Sequence, residues 1–115
     1  MAEKTAEEKE IHREYLRLRG LFKGAGEKKL KLSQRELESA AFLTVSLRKL
    51  EADIANNGYE EEYQNGANQK GIKESTAAKL HIAYTKNLLA VMKQLNERLG
   101  EAVSDGDADD EFTRF

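Results

Sequence analysis

The chain runs for 115 residues without a single proline. Proline removes a backbone N–H donor and clashes with the preceding turn, so it is the commonest interruption of helical backbone. With none present, glycine and the pattern of apolar residues decide where helices begin and end, and helix is favoured nearly everywhere.

The apolar spacing agrees. Ile11, Tyr15, Leu18 and Phe22 recur at intervals of 4, 3 and 4, one face of a first helix over about residues 5–22. Gly20, Gly24 and Gly26 then loosen the backbone, and "EKKLKLS" reads as a basic link. Ser33 followed by Glu36 has the pattern of a capping box and opens a second helix that ends at "NNG", with Gly58 as its cap. A third helix opens near Ser75 or Thr76 and runs to Leu99, with Gly100 as cap.

Ala40, Leu43, Leu47, Leu50 and Ile54 make a seam on the second helix, and Ala77, His81, Tyr84, Leu88, Val91 and Leu95 make a matching one on the third. Two long helices with facing seams predict an antiparallel hairpin. Between them "YEEEYQNGANQKGIKES" changes period. Tyr59, Tyr63 and Ile72 around Asn65-Gly66 fit a short hairpin or extended excursion. The expected fold is therefore all-α, a long antiparallel helical hairpin plus an N-terminal helix, with a short extended or hairpin-like connector, assembling into an oligomer. Residues 1–32 form the N-terminal helix and basic link, 33–100 the hairpin core and 101–115 an acidic tail.

The expectation of assembly comes from apolar residues that fall outside the seams: Phe42 and Val45 on the second helix, and Ile82, Leu89 and Met92 on the third. The first helix covers part of this surface, and a neighbouring copy is expected to cover the rest. The alternative is a three-helix monomer with a slightly apolar exterior. Mean hydropathy is −0.74, with 35% of residues charged and 39% apolar, which leaves a lone chain of this size with a thin core.

Net charge is only −2 but strongly segregated. Over residues 13–35, eight cations (Arg13, Arg17, Arg19, Lys23, Lys28, Lys29, Lys31 and Arg35) stand against Glu14 and Glu27, a local +6. Over residues 101–115, six acids stand against Arg114, a local −5. So many weakly compensated cations point to an anionic partner, and with no interleaved aromatics for base stacking the contacts would go to phosphates. Lys79, Lys86 and Lys93 recur every seven residues opposite the seam of the third helix, either a solvated face or a second stripe of DNA contacts.

A long helix ending in Asn-Gly, a tyrosine and "QNGANQKGIKES", then a long helix carrying "YTKNLLAVMKQLNERLG", resembles the small terminase subunit of tailed bacteriophages over about residues 33–100. Members of that family often open the last helix with proline, where this chain has Ser75-Thr76, and often follow it with a proline and arginine motif, where this chain turns acidic. The resemblance implies a DNA-packaging factor without enzymatic activity. It would form a ring, bind double-stranded viral DNA and deliver it to the large terminase subunit, in the cytoplasm of an infected bacterial host.

The residues suggest no catalytic centre and no cofactor. There is no phosphate-binding Gly-x4-Gly-Lys-Ser/Thr loop and no cysteine. His12 and His81 fall on different predicted helices, and His81 reads as a packed, hydrogen-bonded seam residue. "DGDADDE" begins like a calcium loop without its closing glutamate. No run is apolar enough to span a membrane or to form a signal peptide, so a cytosolic protein is expected. Phe112 and Phe115 in the acidic tail are expected to dock on a partner, the alternatives being a solubilising tail or one that folds back on the basic segment. A cytosolic helical oligomeric adaptor that binds only proteins is the second functional reading.

Overall fold

The computed structural model describes residues 5–64 and 70–100. Among these residues, four α-helices and one pair of β-strands follow in the order α1 Ala6–Leu21, α2 Glu27–Leu32, α3 Gln34–Asn57, β1 Glu60–Gln64, β2 Lys70–Glu74 and α4 Thr76–Leu99.

Each boundary has a local cause. At α1, Thr5 accepts from the Glu8 amide at 3.0 Å while the Glu8 carboxylate accepts from the Thr5 amide at 2.8 Å. This reciprocal cap satisfies two amides the helix itself leaves unpaired. At α4, the Ser75 hydroxyl accepts from the Ala78 amide at 3.0 Å. Both long helices end at a glycine with positive φ, Gly58 (83°) and Gly100 (83°).

The segment expected as a basic link is instead a helix. A single 3-10 turn over Lys23–Ala25 leads to Gly26 at φ 96°, and "EKKLKL" then coils into α2, seating Leu30 in the core at 2% exposure. That arrangement also removes the capping box expected at Ser33, whose side chain makes no cap bond. The Ser33 amide donates back to the carbonyls of Lys29 and Leu30, and its own carbonyl accepts from Leu37, so one residue closes α2 and opens α3. Glu36, released from capping, pairs with Arg98 of α4 at 2.7 Å.

The helical hairpin is present and antiparallel. Glu36 near the start of α3 meets Arg98 near the end of α4, and Glu51 near the end of α3 meets His81 near the start of α4. Between them β1 and β2 pair antiparallel, Glu60 opposite Glu74 and Gln64 opposite Lys70. The Ser75 amide donates to the Tyr59 carbonyl at 2.8 Å and closes the base. Asn65-Gly66, expected at the turn, lies outside the described residues.

Helix α3 is central, with α1 and α4 both packed on it. The largest wholly buried side chains are Phe22, Leu37, Val45 and Leu95. Full burial of such a side chain contributes about 1.5–3 kcal/mol. Because α3 is covered from two sides it buries a wider stripe than one seam, and Val45, expected at an oligomer interface, is fully inside the monomer. Met92 is likewise half-buried, packed against the core. The α4 seam is closed at its ends, where Ala77 and Leu95 are buried, and partly open through His81, Tyr84, Leu88 and Val91.

Candidate nucleic-acid interface

The basic residues fall on three consecutive pieces of backbone: the outer face of α1, the 3-10 turn with α2, and the first turn of α3. Their electrostatic states differ. Arg17 reaches Glu14 on its own helix at 2.7 Å, and Arg19 reaches Glu27 at 2.6 Å. The two acids of this segment are thus both engaged. Arg13, Lys23, Lys28, Lys29, Lys31 and Arg35 are exposed and have no carboxylate partner among the described residues. Consecutive exposed lysines on a short helix cover a broad arc around its axis, and the cluster ends beside Arg98 at the close of α4.

Glu14 is the residue that sequence reasoning underrated. It is 4% exposed and holds Arg17 of α1 at 2.7 Å and Arg48 of α3 at 3.2 Å. Burial alone would raise its pKa, but the two guanidiniums outweigh that and hold the carboxyl below its usual value. Its position gave the signal: Glu14 lies three residues after Ile11 and four before Leu18, on the apolar face of α1.

Lys79, Lys86 and Lys93 are all exposed along α4 and have no carboxylate partner among the described residues. They form a stripe on a different helix from the cluster at α2. His81 is hydrogen-bonded as expected, its Nε2 lying 3.1 Å from Glu51, but its side chain is 32% exposed rather than packed away. His12 stacks on Tyr15 with ring centroids 6.0 Å apart. These two rings, with Glu8, Ile11, Gln34 and Glu38, line an open groove of about 410 Å³ between α1 and the start of α3.

Of the expected interface residues, Phe42, Ile82 and Leu89 are exposed at 45%, 52% and 66%, and Phe42 leans on Tyr84 with centroids 6.4 Å apart. Leu16, Leu32, Tyr59 and Leu80 are further exposed apolar residues that the seam analysis passed over. Phe112 and Phe115 lie outside the described residues. Among the described residues no group of three or more His, Asp or Glu could hold a metal, and no helix is long and apolar enough to cross a membrane. Compared with known protein families, curated proteins and solved structures, the chain matches none.

Proposed function

We propose that the chain is a DNA-packaging factor of the small-terminase kind: an oligomer of helical hairpins that binds duplex DNA through phosphate contacts and presents it to a large packaging subunit. The observation that carries the reading is the contiguous cluster Lys23, Lys28, Lys29, Lys31 and Arg35, exposed and without carboxylate partners among the described residues. Keeping such cations together is unfavourable unless an anion neutralises them. The hairpin of α3 and α4, with β-strands at the "QNGANQKGIKES" connector on which the resemblance rests, supports the same reading. So do Ile82 and Leu89, apolar side chains exposed on α4 that a second copy would cover.

The deciding experiment is duplex-DNA binding measured across a salt series. A phosphate-bound complex weakens as a power of salt concentration, with a slope of about 0.9 for each phosphate neutralised. Absence of binding even at low salt would leave the second reading, an oligomeric helical adaptor for proteins.

A further inference from the structure

The cleft at the junction of α2 and α4 is lined by Lys29, Leu32, Ser33, Arg98 and Leu99 and has a volume of about 210 Å³. Its chemistry is mixed: an apolar wall flanked by cations. Leu32 is 75% exposed, the most exposed large apolar residue described, and it sits between Lys31 and Ser33 where α2 meets α3. Lys28 and Lys31 stand next in sequence to the lining residues Lys29 and Leu32 and, like Lys29, lack a carboxylate partner among the described residues. A ligand suited to this place carries clustered carboxylates beside an aromatic or aliphatic side chain.

The chain itself encodes such a segment. Residues 101–115 read "EAVSDGDADDEFTRF", a local −5 with Phe112 and Phe115 next to the acids. They follow directly on Leu99, which lines the cleft, and Gly100, which ends α4. Asp105 is five residues past Gly100, a reach of up to roughly 17 Å of extended chain. We propose that the acidic segment folds back within the same chain, placing a phenylalanine on Leu32 and its carboxylates on Lys28, Lys29 and Lys31. It would thereby occupy the surface read above as the DNA contact and act as a built-in competitor. Docking itself is independent of the DNA reading; only the competition rests on it.

Two readouts on the full chain separate these. Zero-length carbodiimide coupling followed by peptide mass mapping should join Lys28, Lys29 or Lys31 to acids of residues 105–111 within one chain. Leu32→Ser, harmless to folding because Leu32 is so exposed, and Phe112→Ser with Phe115→Ser should each abolish these links without altering charge. If no such links form, if both variants keep them, or if mixed isotope-labelled chains show only links between chains, the fold-back is overturned. In DNA titrations at low salt the same variants should bind on the order of tenfold more tightly, about 1.4 kcal/mol, converging with the parent as salt screens the competition. Repulsion by a free acidic tail predicts no change in these charge-preserving variants, and equal affinities would overturn the competition. Links present while no variant binds DNA would refute the DNA reading and leave the docking intact.

Discussion

Arg48, in the middle of α3, places a guanidinium nitrogen 3.2 Å from a carboxylate oxygen of Glu14, 34 residues earlier on α1. With Arg17 holding the same carboxylate at 2.7 Å, this buried acid pins α1 across α3. Glu14→Ala should therefore destabilise the fold by about 1–3 kcal/mol, the range for losing hydrogen bonds to a charged group. The cost stays in that range because both arginines are half-exposed and regain water when the acid is gone. Urea unfolding of the variant and parent measures it.

The same carboxyl sets an acid limit. Its folded pKa lies below its ordinary value, so its contribution is complete above the unfolded glutamate value of about 4.3. It is lost progressively as pH falls from there through the lower folded value. Thermal melts should show the parent losing stability relative to Glu14→Gln only below about pH 4.3. A constant difference down to strong acid would contradict the role given to Glu14.

Leu89→Glu and Ile82→Glu place charges on exposed positions of α4 and should leave the monomer's melting unchanged while shifting assembly toward single chains of 13.0 kDa. Light scattering on a sizing column reads the mass. Val45→Ala should do the reverse. It truncates a fully buried side chain, at a cost of up to about 1.5–3 kcal/mol, and leaves the exposed apolar surface intact.

Replacing Lys28, Lys29, Lys31 and Arg35 by alanine should weaken DNA binding and flatten its salt dependence by about 0.9 for each phosphate that is no longer neutralised. Arg17→Ala should change the salt slope less than any one of these, since Arg17 already spends its charge on Glu14.

Two glycines should respond in opposite directions to alanine. Gly58 combines φ 83° with extended ψ, a region almost confined to glycine, so Gly58→Ala should cost about 1–3 kcal/mol. Gly20 lies inside α1 with nothing near the position a methyl would take, so Gly20→Ala should stabilise by roughly 0.5–1 kcal/mol. Thermal denaturation distinguishes the two.

What could be read from the sequence was what local chemistry settles alone. The ends of α4 follow from Ser75 and Gly100, the end of α3 from Gly58, and the pairing of the two helices from their apolar seams. The connector's change of period marked a break between the helices and left a hairpin and an extended excursion both open; the pairing of β1 with β2 decides for the hairpin. What failed depended on a third element. Val45 lies off the seam of a two-helix hairpin, and only α1 packed on the same helix accounts for the wider buried stripe. Ser33 and Glu36 have the right spacing for a cap, but α2 runs straight into α3 and holds Ser33 at φ −102° and ψ 14°, away from the extended backbone from which a serine caps a helix. The charge of Arg17 and Arg19 was countable from the sequence, whereas its consumption by Glu14 and Glu27 required the helices to be placed. In the candidate site, the lysines on α2 were legible as a run, and the exposure of Leu32 among them was not.

Helix α3 is also a spacer of fixed length. Its 24 residues span about 36 Å at 1.5 Å per residue, with the basic junction of α2 at one end and the β-hairpin at the other. A molecule shorter than that separation touches one end at a time, while a duplex of more than about ten base pairs is long enough to span both.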